Sequence, residues 1–232
     1  MKLPAPLQEA QFLSRPNRFT CLVQLPRQSK PVSAHLPDPG RLRELLRPGA
    51  RVWLEPKSGA QRKTRFQVWL VEKDQTLVSL NTQLPNVLVQ EALEQGSLSE
   101  LSQYTSWKRE CRVGSSRLDF FLENADGACW MEVKSVTLVE DGRGLFPDAP
   151  TERGRKHVAE LTKLRQSGAR AVVFFVVQRD DALSVAANHR TDAKFAQALH
   201  TAHRCGVEFI AYNCVVTSAL AAINQRIPVI LD

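Results

Sequence analysis

The chain has 232 residues, room for one large or two small domains, and its 43% hydrophobic content is ample for packed cores. It carries 31 Lys and Arg against 24 Asp and Glu, a formal net charge of +7, which favours polyanionic partners and says little about fold. Five cysteines without a Cys-x-x-Cys argue against a disulfide framework or a zinc ribbon. Residues 1–10 hold Pro4, Pro6 and no apolar stretch, unlike a signal peptide, and the longest apolar run, residues 171–177, is too short to span a bilayer. The expected location is a reducing cytoplasm.

In chain order, residues 18–25 alternate as a strand, with Phe19, Cys21 and Val23 on one face, until Pro26. Residues 31–36 give a second strand. Pro37, Pro39 and Gly40 then break the chain before a short helix over residues 41–46, closed by Pro48-Gly49. Residues 50–55, 66–72 and 77–80 make three more strands. Five short strands separated by turns predict a small barrel; the OB fold is the commonest such barrel and often binds oligonucleotides. Arg62, Lys63 and Arg65 form a basic loop between two of these strands, near Trp53 and Trp69 in sequence. Such a loop can hold a single strand by charge and stacking. Both Trp lie in apolar runs and are expected in the core, which leaves the loop as the nucleic-acid contact.

Residues 81–85 read as a linker, which divides the chain into residues 1–82 and 83–232. Residues 86–95 predict a helix, with Pro85 in its first turn, Glu91 within it and Gly96 as its stop. Residues 107–113 form a strand that carries Glu110. Next comes a hairpin over residues 116–138, with Asn124, Asp126 and Gly127 supplying the turn. Residues 140–150 read as a loop long enough to act as a flap. Thr151 caps a helix running to Gln166, with Val158, Leu161 and Leu164 facing inward and Arg153, Arg155, Lys156 and His157 crowding its first half. This basic start could neutralise a nucleic-acid backbone. Residues 171–177 predict a central strand covered on both faces, with Gln178 just beyond it placed to meet phosphate or water. Residues 192–204 form a helix capped by Asp192, residues 207–212 a strand, and residues 215–224 a last short helix. The whole is a mixed α/β arrangement.

Folding the hairpin back about residue 126 sets Asp119 beside residues 132–134, and alternation puts Glu132 and Lys134 on one face. Two carboxylates are hard oxygen ligands suited to Mg²⁺ or Mn²⁺. A divalent ion polarises a phosphate and acidifies a bound water, and a nearby Lys can orient that water or stabilise charge growing on the phosphate oxygens. Asp followed by Glu-x-Lys on the next strand is the constellation of the PD-(D/E)XK nucleases. The same three residues alone would equally suit a solvated cross-strand ion pair.

Longer segments decide between these. Residues 34–49 (AHLPDPGRLRELLRPG), 116–123 (SRLDFFLE), 132–138 (EVKSVTL) and 146–157 (FPDAPTERGRKH) together resemble the sugar fermentation stimulation protein A family over nearly the whole chain. The resemblance implies an N-terminal five-stranded OB-like barrel, a C-terminal mixed-sheet PD-(D/E)XK nuclease-like α/β domain, and DNA binding. It also implies catalytic Asp119, Glu132 and Lys134, and Mg²⁺ or Mn²⁺ on Asp119 and Glu132, with the first-helix Glu91 as accessory ligand. Glu110, on the strand before the hairpin, is the rival accessory ligand. One departure stands at residues 37–40, Pro-Asp-Pro-Gly where the family pattern has Pro-Asn-Thr-Gly. The family name also admits a second function, a DNA-binding regulator of sugar metabolism genes on a nuclease scaffold. No Rossmann or P-loop glycine pattern supports a sugar-metabolising enzyme.

Overall fold

The computed structural model describes residues 1–59, 62–114, 116–125 and 127–231; Asp126, assigned above to the hairpin turn, lies outside them. The N-terminal part opens with a strand that the apolar pattern did not signal, β1 (Gln8–Asn17). Only Ala10 and Phe12 are buried along it, so alternation is confined to two positions. Pro16 is tolerated because pairing with the next strand is irregular between Ser14 and Asn17. β2 (Thr20–Gln24), β3 (Val32–His35), β4 (Arg51–Pro56) and β5 (Phe66–Lys73) follow. Antiparallel pairs β1–β2, β2–β3, β1–β4 and β4–β5, with the parallel pair β3–β5, close these five strands into a ring. β6 (Thr76–Ser79) extends β5 outside it. This is the expected OB barrel, filled by Cys21, Val23, Ala34, Val52, Leu54 and Val68.

The helix expected at residues 41–46 is a single turn instead. Leu46 N–H donates to the Leu42 carbonyl at 2.8 Å, and Leu42 sits at φ +51°. Pro39 and Pro48 leave too little chain between them to repay a helix nucleus. Leu42, Leu45 and Leu46 are nevertheless buried and plug the barrel.

The C-terminal part comprises α1 (Leu84–Glu94), β7 (Ser106–Val113), β8 (Ser116–Asn124), β9 (Gly127–Val136), β10 (Val139–Glu140), β11 (Arg143–Phe146) and α2 (Glu152–Gln166). It continues with β12 (Arg170–Val177), β13 (Ser184–Ala187), α3 (Ala193–Arg204), β14 (Glu208–Val216), β15 (Ala221–Arg226) and β16 (Val229–Ile230). The main sheet has the order β15-β14-β12-β9-β8-β7, with β9, β12 and β14 parallel at its centre. β12 is buried over seven of its eight residues, as its unbroken apolar run requires. Leu88 and Val89 of α1 pack with Phe120, Met131 and Phe174 in one cluster. Val158 and Leu161 of α2 and Phe195 and Leu199 of α3 pack with Val173 and Phe175 in another. Both caps form: Thr151 accepts from Gly154 N, and Asp192 from Phe195 N.

Two expectations fail here. Residues 215–224 do not form a helix. Ala221, Ala222 and Ile223 pair with Val216, Val215 and Cys214, because an open edge of β14 outweighs the helical propensity of an alanine-rich run. The flap is not a plain loop either. β11 lies parallel to β13, which lies parallel to β16, and β10 completes a small second sheet in the order β10-β11-β13-β16. Among the described residues no helix is long and apolar enough to cross a membrane.

Candidate functional site

The β8–β9 ladder runs from Asn124↔Gly127 to Phe120↔Met131 and stops there. The next residue, Asp119, turns its carboxylate into the gap, where Oδ2 accepts from Val133 N at 2.8 Å. Asn86, at the start of α1, donates to the other oxygen at 2.9 Å. On the far side of β8, Glu110 falls between the pairs Arg109↔Phe120 and Cys111↔Leu118 and takes φ +57°. A glutamate in the left-handed region within a strand is strained, and here the strain lies beside the break in the ladder.

Glu132 and Lys134 are both buried on β9, at 4% and 8% exposure. Lys134 Nζ donates to Glu132 Oε1 at 2.6 Å, and His157 of α2 contacts the same oxygen through Nδ1. Burial alone pushes the Glu132 carboxyl up, but Lys134 and then His157 bring it below the ordinary value. Its second oxygen, Oε2, is buried without a hydrogen-bond partner. Asp119 moves the other way, up to about 6, chiefly through burial and then through the charge of Glu132. The two acids are therefore held in opposite senses by one site.

They open into a cavity of about 600 Å³ between the two parts of the chain. Its walls include Asp38 and Gly40 from the loop after β3, Asn86, Asp119, Glu132 and Lys134, Asp148 of the flap, and Arg153 of α2. The barrel loop and the flap touch. A Cβ built on Gly40 would lie 2.1 Å from Asp148 Oδ2, so only glycine allows this approach. Asp38 is also pushed up to about 6, mainly by burial, with Asp148 adding to the shift against a hydrogen bond from Gly40 N.

The other residues singled out in the sequence fall unevenly. Glu110 reaches the cavity wall but pairs with Arg117 at 2.7 Å. Glu91 does not line the cavity; it pairs with the Met1 amine. Arg153 lines the cavity, and His157 sits behind it on Glu132. Arg155 is bound to the α3 cap Asp192 at 2.8 Å, and Lys156 is exposed and paired with Glu152. Arg62, Lys63 and Arg65 are exposed in the β4–β5 loop, away from the cavity walls. Trp69 is buried and donates to Glu55, and Trp53 packs half-buried against the same cluster. Gln178 meets neither phosphate nor bulk water: it is fully buried and donates to Ser135 Oγ at 2.8 Å. Asn86, Asp38 and the role of Asp148 were not foreseen. Asp148 had a signal in its position within the flap, whereas Asn86 is brought in by helix packing alone.

These shifts carry a pH consequence. Asp119 and Asp38 have folded pKa values near 6 against an ordinary 3.8. The folded state thus binds their protons more tightly, and the stability they lend below about pH 4 is lost as pH rises through 6. Glu132, held low, acts only below that window. In EDTA the protein should melt several degrees higher at about pH 5 than at pH 7.5. A melting temperature that is flat or rises over that interval would show the two carboxyls to be ordinary.

Comparison with known proteins agrees with the two-part fold. Residues 13–80 match the family model described as the SfsA N-terminal OB domain, and residues 83–219 match the sugar fermentation stimulation protein RE domain. A sugar fermentation stimulation protein homolog of Moorella thermoacetica is 49% identical over 98% of this chain and 100% of its own length. That of Chloroflexus aurantiacus is 44% identical over 97% and 86%. Among solved structures, that of Pyrococcus furiosus SfsA in complex with Ca²⁺ superposes with a TM-score of 0.89 at 32% identity, covering 99% of each chain. With both domain models matched in order and relatives aligned end to end, the chain belongs to the sugar fermentation stimulation protein family.

Proposed function

We propose that this protein is a divalent-metal-dependent phosphodiesterase that acts on nucleic acid, DNA in the first instance. The observation that carries the reading is the unpartnered, buried Glu132 Oε2 in a cavity it shares with a second, half-buried carboxylate, Asp119, whose carboxyl its charge helps to push up. Lys134 and His157 neutralise Glu132 through Oε1 alone, which leaves Oε2 and the Asp119 carboxylate as the oxygens a divalent ion would take. Asp119 and Glu132 would hold Mg²⁺ or Mn²⁺; of the two further candidates Glu110 lines the cavity and Glu91 does not. The complex of the Pyrococcus furiosus relative with Ca²⁺, a hard cation, supports an oxygen-donor site. Among the described residues no group of three or more His, Cys, Asp or Glu is placed to hold a metal ion, so waters or substrate oxygens would have to complete the shell around the two carboxylates.

When bound, the ion supplies Lewis-acid polarisation of the phosphate and an acidified water. The chain's own groups do the rest. Lys134 orients the attacking water or steadies charge on the phosphate oxygens. His157 fixes the Glu132 carboxylate from behind, and Asn86 fixes Asp119. Arg153, at the cavity wall, neutralises an adjacent phosphate. The OB barrel supports a nucleic-acid partner, since this fold commonly binds oligonucleotides.

The test has two readouts. Calorimetry with Mn²⁺ should show binding that falls about tenfold per pH unit below about pH 6, as Asp119 takes up its proton. Labelled single-stranded, duplex and branched DNA should be cut with Mn²⁺ or Mg²⁺ and not in EDTA. Absence of Mn²⁺ binding would refute the metal site. Metal binding without cleavage of any of these substrates would refute the nuclease and leave a DNA-binding regulator as the better reading.

A further inference from the structure

Beyond the Gly40–Asp148 contact the surface continues as a second groove, of about 420 Å³. Arg41, Arg43 and Arg47 of the barrel turn line it, with Arg190 from the segment after β13. Asp148 lines both the groove and the carboxylate cavity, so the two adjoin. All four arginines are exposed. Arg190 is paired with Glu140, but among the described residues Arg41, Arg43 and Arg47 have no carboxylate within ion-pair distance. Three acids also line the groove: Glu140, taken by Arg190, Asp148 at the junction, and Glu44, which is half-buried with one oxygen that has no hydrogen-bond partner.

The turn is fixed in place. Leu42, Leu45 and Leu46 are anchored in the barrel core, while Arg41, Arg43 and Arg47 remain outside. The Arg15 guanidinium donates to the carbonyls of Arg18, Asp38, Gly40 and Arg41 at 2.6–3.0 Å and locks the loop before it. Guanidinium groups presented from a rigid turn lose little freedom on meeting phosphate. The exposed Arg62, Lys63 and Arg65 line neither the cavity nor the groove.

We infer that Arg41, Arg43 and Arg47 hold the backbone phosphates of a single-stranded nucleic acid that runs between this groove and the carboxylate cavity. This rests on the nuclease reading above. The strand is read as single because the arginines stand on an OB barrel, a fold that commonly tracks one strand along a positively charged groove. The charge tracks the backbone without reading bases, so binding is sequence-tolerant.

Fluorescence anisotropy in EDTA, with a labelled single-stranded oligonucleotide and its duplex, tests this on the full chain. The wild type should prefer the single strand. The variant R41E/R43E/R47E should bind it at least about tenfold more weakly at low salt, with a salt slope shallower by about 2, three lost contacts at about 0.7 each. R41Q/R43Q/R47Q should lie between, and R62E/K63E should stay near wild type. Melting temperatures should be unchanged, because these side chains are exposed. Unchanged affinity and slope in both triple variants would overturn the groove while leaving cleavage by the wild type untouched. A wild type that binds and cuts duplex in preference would overturn it too. One that neither binds nor cuts nucleic acid would remove the nuclease reading along with it.

Discussion

Lys134→Ala will lower metal-dependent cleavage by at least about 10³-fold while metal still binds. Lys134 is no ligand; its ammonium sits 2.6 Å from Glu132 Oε1 in a buried site, where a charge aimed at the reacting phosphate acts far more strongly than in water. Asp119→Asn will lose cleavage as well, but by a different route. It removes a ligand, so calorimetry should show Mn²⁺ affinity falling with activity. The two variants should also part in stability. Asp119→Asn removes a carboxyl already pushed up to about 6, and in EDTA at pH 7.5 it should melt above wild type. Lys134→Ala takes away one partner of the buried Glu132 and should melt below it, by an amount equivalent to about 3–5 kcal/mol if His157 does not compensate. Metal-free nucleic-acid binding should persist in Asp119→Asn, since one negative charge facing the phosphates has gone. Equal Mn²⁺ affinity in Asp119→Asn and wild type would remove Asp119 from the site.

A comparable loss of stability, about 3–5 kcal/mol, will come from Phe174→Ala. Phe174 is fully buried in β12 and stacks on Tyr212, with ring centroids 5.6 Å apart and planes parallel to within 1°. It pairs with Val133, the residue between Glu132 and Lys134, so the cavity left behind lies directly under the site. Urea unfolding should show a lower midpoint with the slope unchanged. A loss below about 1 kcal/mol would mean that the cluster collapses into the gap instead of leaving it open.

Much of this arrangement was readable from residues 116–138. Turn residues at 124 and 127 fixed the hairpin register, and the register brought Asp119 to the backbone of Val133. The apolar run at residues 171–177 likewise announced the central strand. What escaped was set by tertiary pairing. β1 buries only two side chains, too few for a pattern. β15 is a strand because β14 offered an edge, against the preference of its alanines. The accessory positions depended on three-dimensional placement that periodicity does not encode. Glu91 and Asn86 are five residues apart on one helix, yet Asn86 meets Asp119 and Glu91 meets the chain's own amine. The basic helix divided similarly: Arg153 and His157 face the cavity region, while Arg155 is taken by the cap of α3.

The lapse in the β8–β9 ladder gives the two carboxylates unequal mechanical support. Glu132 rides on β9, which is zipped to β12 through eight consecutive pairs from Arg170↔Cys129 to Val177↔Val136. Asp119 stands where β8 has let go of β9, tethered by one amide and one side chain. Glu132 is therefore the more firmly held of the two acids. Hard cations differ in the reach they demand, about 2.0–2.1 Å to oxygen for Mg²⁺ and 2.3–2.6 Å for Ca²⁺. On the metal site proposed above, the break beside Asp119, next to the strained Glu110, is where the fold would accommodate ions of different reach.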